Sequence, residues 1–275
     1  MEVVAFLAAP FVASLILTGI HAYLGVHVVE RGVIFVDIAL AQIAALGSVV
    51  AILFGLDVHS GTAYGFSLGF TFLGAAVISV LRTRNDRIPQ EAIIGITYAV
   101  ASAAAILAMS KAVGETDHLR EMLVGNILAV SWTEVRNTAL LYAGVGAFHY
   151  VFRRRFLLIS MNPKQAVAEG LSLRWWDFLF YMSFGFVVTS SVAIARVLLV
   201  FCYLIVPSVG AILFADTIGR RLAIGWTMGS VVSALGIYLS LLLDLPTGAA
   251  IVCTFGGVLV LMAAARVAFF RRSAA

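Results

Sequence analysis

The chain has 275 residues, 62% hydrophobic and 12% charged, with a formal net charge of +4 and a mean hydropathy of +1.06. Soluble domains carry roughly a quarter charged and about half apolar residues, and no globule of this length hides so large an apolar share from water. A soluble domain, a disordered chain and a disulfide-stapled secreted module are excluded, which leaves an all-α, polytopic membrane protein with lipid as its outer solvent.

Each membrane-crossing helix needs about 20 mostly apolar residues. Apolar stretches fall at about residues 4–26, 33–56, 62–82, 91–112, 137–152, 176–194, 197–215, 222–243 and 247–270. They predict about nine spans in one bundle, or eight if one of the short fifth and sixth does not cross. The first stretch, MEVVAFLAAPFVASLILTGI, lacks a charged leader and a cleavage motif, so it reads as a span that stays in place. Residues 119–130 read as a half-helix at the surface or dipping into the membrane. The whole chain, 1–275, reads as a single transmembrane domain.

Cytoplasmic loops accumulate Lys and Arg. With the N-terminus outside and nine crossings, fourteen of the 18 Lys and Arg residues lie inside, and only Lys111, Arg120, Arg136 and Arg196 lie outside. The C-terminus is then cytoplasmic. The acidic residues divide seven and seven, leaving the outer face at −3 and the inner at +7, so the outer mouth favours cations weakly. The basic residues are scattered among short loops, which argues against a nucleic-acid partner. Cys202 and Cys253 lie in apolar runs and suggest neither a disulfide nor a zinc site.

Gly61, Gly65 and Gly69, and again Gly225 and Gly229, recur every four residues and predict close helix packing. Pro207, in LIVPSVG, predicts a kink in the seventh span because it removes a backbone hydrogen bond.

The longest inner loop, SMNPKQAVAEGLSLRWWDF, runs from Ser160 to Phe178. Asn162 is a good N-cap, Pro163 suits the first helical position, and Gly170 suits a left-handed stop. The helix between them, Lys164 to Glu169, carries Ala166 and Val167 as small apolar contacts. It either packs on the bundle as an ordinary loop helix or inserts into a groove on a partner.

Asp37 lies about one turn into the second span, and carboxylates inside a membrane are functional candidates. The alternative is an interfacial position eased by the helix dipole and Arg31. Gln42 is five residues on, about 140° round the helix, so the two do not share a face. His21, His27, His59, His118 and His149 are dispersed; Asp57 with His59, and Glu115 with Asp117 and His118, read as solvated loop residues more readily than as cation contacts. Gly65–Gly69 matches GxSxG around Ser67, but inside an apolar span rather than a strand–turn–helix elbow. Neither HExxH nor a phosphate-binding GxxxxGK[ST] occurs, so this chain has no P-loop of its own for ATP.

The fragments RGVIFVDIALAQIAALG, EAIIGITYA, LVGNILAVSWTEV, SMNPKQAVAEG, LLVFCYLIVPSVGA and LDLPTGAAIV occur in this order between about Pro10 and Ala263. Together they resemble the membrane permease subunit of bacterial metal-ion ABC importers for zinc, manganese or iron. The resemblance implies a permease pair in the bacterial inner membrane, two cytoplasmic ATPase subunits that hold the ATP, and an extracytoplasmic metal-binding protein. This chain would then hold no cofactor. Coupling to the ATPase falls to the segment at about 157–175, through Ser160, Asn162, Pro163, Lys164, Ala166, Glu169 and Gly170. Asp37, Gln42 and Pro207 would line the substrate pathway.

The match departs from the family where a metal is read. The family's second span carries an Asp and a His four residues apart, with a Gly five residues after the His. Anchored on Gly47, these positions fall on Ile38 and Gln42, and Asp37 comes one place early. A histidine of the fourth span is replaced by Ala99, beside Tyr98. An amide is a poor zinc ligand. Asp37 in a rearranged site with His21 or His27, a cation held by oxygen ligands, or a substrate other than a free metal ion are the remaining readings; an ATP-independent channel or carrier is the alternative to the ABC assignment. Asp244 is expected to cap the last helix.

Overall fold

The computed structural model describes residues 2–57, 60–82, 88–110, 127–195 and 197–273, and every regular element among them is helical. In chain order these are α1 (Glu2–Arg31), α2 (Val36–Leu53), α3 (Gly61–Val80), α4 (Gln90–Met109), a 3-10 turn (Ile127–Ala129), α5 (Trp132–Val151), α6 (Arg153–Met161), α7 (Pro163–Ala168), α8 (Leu173–Ile194), α9 (Val197–Ile212), α10 (Ile218–Leu243) and α11 (Thr247–Ser273). Each of the nine apolar stretches carries a helix among the described residues. Among the described residues, seven helices are long and apolar enough to cross a membrane: α1, α2, α3, α4, α8, α10 and α11. The sixth stretch is not short after all, because α8 starts at Leu173 and runs for 22 residues through Arg174 and Asp177. Among the helices on the nine stretches the shortest is α9, with 16 residues, while α5 on the fifth stretch has 20 but is not among the seven. Of the expected half-helix at 119–130, only the 3-10 turn and Val130 lie within the described residues.

Local chemistry sets several helix ends. Ser60 Oγ accepts the Ala63 amide at 3.2 Å and starts α3. Ser131 and Glu134 form a reciprocal capping box at α5: the Ser131 amide donates to Glu134 Oε2 at 2.8 Å and the Glu134 amide to Ser131 Oγ at 3.2 Å. Asp244 departs from expectation. It closes α10 with φ +51 and its amide on the Ser240 carbonyl, instead of capping α11. The turn is fastened by Ser240 Oγ, 2.7 Å from the Leu245 carbonyl and 2.6 Å from Thr247 Oγ1, so the next helix starts at Thr247.

The chain divides into two compact units. One comprises α1 to Val29, the 3-10 turn, α5 to Tyr142, and α9 to α11. Here α1 lies close against α9: a Cβ at Gly25 would fall 1.9 Å from the Leu204 carbonyl oxygen and 2.3 Å from Ser208 Oγ. Gly229 of α10 meets Thr18 of α1 in the same way, and Gly236 meets Ile251 of α11. Buried Tyr203 packs edge-on against Phe255 and bonds Ser233 Oγ at 2.7 Å. Pro207 is buried, and α9 continues as a helix through it.

The other unit comprises Glu30 and Arg31, α2 to α4, α5 from Ala143, α6, α7, and α8 to Ala193. Its close contacts are made by Gly47 of α2 on Phe66 and Ser67, Gly74 of α3 on Ile43, and Gly185 of α8 on Thr71. Gly61, Gly65 and Gly69 meet nothing within 4 Å. The buried face of α3 carries Ala63, Ser67, Thr71 and Gly74, and the expected glycine ridge is set two residues from it, about 200° round the helix.

Candidate functional site

The segment after α5 is built to display α7. Asn162 ends α6 and starts α7, its Oδ1 accepting the Gln165 amide at 3.2 Å. At the other end Gly170 has φ +81, the Leu171 amide bonds the Ala166 carbonyl at 2.9 Å, and the Gly170 amide bonds that of Val167 at 3.0 Å. This is the Schellman closure, with Gly in the left-handed position that a Cβ would strain. Ala166 is fully buried, whereas Lys164, Gln165, Val167 and Glu169 are exposed, Val167 by 50%. Within α7, only Ala166 is buried against the rest of the chain. Leu157, Leu158, Met161, Gln165 and Glu169 line a groove between α6 and α7.

Asp37 sits in the first turn of α2 and is 2% exposed. Its carboxylate faces the turn's own amide dipoles, and neither oxygen makes a well-formed hydrogen bond among the described residues. Glu91 of α4 also reaches the start of α2. Glu91 Oε1 accepts the Phe35 amide at 2.9 Å, while its Oε2 has no hydrogen-bond partner among the described residues. Two carboxylates therefore stand at the start of α2, each with oxygen capacity left over. Gln42 is half-buried on another face of α2, and Ala99 and Tyr98 are exposed on α4.

His21 is buried, with Nδ1 donating to the Leu17 carbonyl at 2.8 Å, and His27 packs edge-on against Tyr23 at 4.8 Å. Among the described residues, no group of three or more His, Cys, Asp or Glu side chains stands close enough to hold a metal ion. Ser67 lies inside α3 and shares a 2.6 Å hydrogen bond with Ser48, as expected of a structural hydroxyl. His59, Glu115, Asp117 and His118 lie outside the described residues.

A second buried polar cluster is not singled out by local sequence. Arg31 Nη1 donates to Asp177 Oδ1 at 2.6 Å, Arg82 Nη1 donates to Asp177 Oδ2, and Arg31 Nε donates to Ser160 Oγ at 2.8 Å. The Arg31 guanidinium lies 4.0 Å from the Phe180 ring centroid. Arg31 and Asp177 are 146 positions apart, so nothing in the spacing pairs them. The one local signal is a charge in an otherwise apolar helix, Asp177 after two tryptophans.

Three comparisons bear on this arrangement. The manganese transport system membrane protein MntC of Listeria innocua is 26% identical over 248 residues, spanning 90% of this chain and 86% of that protein. The chelated iron transport system membrane protein YfeD of Yersinia pestis is 25% identical, over 90% of this chain and 81% of its own length. The solved structure of PsaBC from Streptococcus pneumoniae in complex with Fab shares the fold, with a TM-score of 0.74, 24% identity, and coverage of 94% of this chain and 90% of its own. Residues 3–266 match the ABC 3 transport family, and the chain belongs to it.

Proposed function

We propose that this chain is the membrane-spanning permease subunit of a metal-ion ABC importer, moving manganese(II) or iron(II) across the bacterial inner membrane. The observation that carries this reading is α7: a helix capped at both ends, buried through Ala166 alone, and otherwise presented for a partner to grasp. Family membership over residues 3–266 and the manganese and iron names of its relatives support the substrate class. Two permease copies would work with two cytoplasmic ATPase subunits and an extracytoplasmic metal-binding protein. The ATPases bind ATP, and their closure displaces α7; differential contacts in the two states then switch the permease.

Asp37 is the residue proposed to meet the cation. A buried carboxylate without a full set of hydrogen bonds is costly in lipid, and manganese(II) and iron(II) accept carboxylate oxygens. Gln42 and Pro207 are assigned to lining the pathway; no such role is assigned to His21, whose Nδ1 is held by its own helix, or to His27. The test is manganese(II) uptake into vesicles holding the chain with its ATPase. Uptake that requires ATP and is lost with Val167→Asp, which places a charge on the exposed apolar position of α7, supports the reading. Uptake that persists without any ATPase overturns it in favour of an autonomous carrier.

A further inference from the structure

We propose that Asp177 is the joint through which displacement of α7 reaches the ends of α1 and α3. This rests on the coupling role proposed for α7. The connection is short: a single residue, Met161, separates Ser160 from the α7 N-cap Asn162. Ser160 is buried in the last turns of α6, donates to the Phe156 carbonyl at 2.9 Å, and accepts Arg31 Nε. Arg31 ends α1, and its guanidinium reaches Asp177 in α8. The second oxygen of Asp177 takes Arg82, just beyond α3. One carboxylate thus joins α1, α8 and the end of α3, and Arg31 carries the connection to α6.

The two arms differ. The Arg31 and Asp177 side chains are 3% and 0% exposed, whereas Arg82 is 24% exposed. Breaking the Arg31 arm would leave the buried Arg31 charge without its counter-ion, with Ser160 and the Phe180 ring beside it. The Arg82 arm can detach at less cost, because water solvates the partly exposed guanidinium while buried Asp177 keeps its pair with Arg31. Two arginines on one carboxylate also leave a surplus positive charge, which favours release of the wetter one. The cluster therefore has a fixed arm and a detachable arm, and pairing or release of Arg82 would supply the two arrangements that a switching element needs. Asp177 and Arg82 are positioning residues; neither is asked to touch the cargo or ATP.

The test uses the full chain, assembled with its ATPase subunits in phosphatidylglycerol and phosphatidylethanolamine vesicles, with manganese(II) uptake and phosphate release measured together. Arg82→Gln is expected to keep the ATPase bound and hydrolysing while uptake per ATP falls about tenfold, the scale of an ordinary coupling free energy. Arg82→Lys, which restores a cation to the single contact with Asp177, is expected to recover uptake per ATP. Asp177→Asn should uncouple at least as strongly; if it does not assemble, the Arg82 pair decides. Unchanged uptake per ATP in Arg82→Gln, or uptake and hydrolysis falling in proportion, overturns the joint. Val167→Asp separates the two readings: full ATPase binding and uptake with this variant defeats the role of α7. An impaired Val167→Asp beside a normal Arg82→Gln defeats the joint alone.

Discussion

At the scale of single residues, Asp37 gives the sharpest test because its energetics and its proposed role point in opposite directions. A carboxylate that is 2% exposed and poorly hydrogen-bonded opposes folding. Asp37→Asn is therefore expected to leave the melting temperature unchanged or raised, while manganese(II) uptake falls by about tenfold or more. A variant that melts early and transports normally per folded molecule would make Asp37 a structural residue. Glycines give a second contrast. Gly25→Val is expected to cost about 1–3 kcal/mol, since its side chain would overlap the α9 backbone at Leu204. Gly65→Ala, in open space within α3, should stabilise by up to about 1 kcal/mol through helix propensity. Thermal unfolding of the purified protein checks both. Asp37 was legible in the sequence because a charge in an apolar run announces itself. Gly25 was not, since nothing local tells which glycine faces a neighbouring backbone, and the glycines spaced four apart on α3 lie on its unburied side.

At the scale of elements, α7 has six residues, too few to hold a helix without its caps. Asn162→Ala removes the side-chain acceptor for the Gln165 amide and is expected to cost about 1 kcal/mol of local order. Gly170→Ala forces a Cβ into a backbone at φ +81, also at about 1 kcal/mol. Each should reduce co-purification of the ATPase while leaving the global melting temperature within about 2 °C, because the element carries little of the core. A large global shift with full ATPase binding would show that the segment is structural ballast. Both ends of α7 were readable beforehand because N-cap and left-handed stop are short-range chemistry. Helix ends set by tertiary contacts were not. The start of α2 is tied to Glu91 from another helix, and the Ser240–Thr247 bond moves the start of α11 away from Asp244.

At the scale of the whole molecule, orientation is the open expectation, and it turns on α9. At 16 residues this helix is about 24 Å long, less than a hydrocarbon core of about 30 Å. A lipid-facing helix of that length would be mismatched, but α9 buries Leu199, Val200, Tyr203, Leu204, Pro207, Ser208 and Ala211, so protein rather than lipid meets much of its surface. It is therefore expected to cross, making three crossings, α8 to α10, between Lys164 and Asp244. An odd number would place these two exposed residues on opposite sides, and the excess of Lys and Arg in the loop holding Lys164 predicts a cytoplasmic location for it. In a background with Cys202→Ala and Cys253→Ala, a membrane-impermeant maleimide should label Asp244→Cys in intact cells and Lys164→Cys only in inverted vesicles. Labelling of both from one side would mean that one of these three helices does not cross. Labelling of Lys164→Cys from outside would remove the charge-based assignment of α7 to the ATPase side.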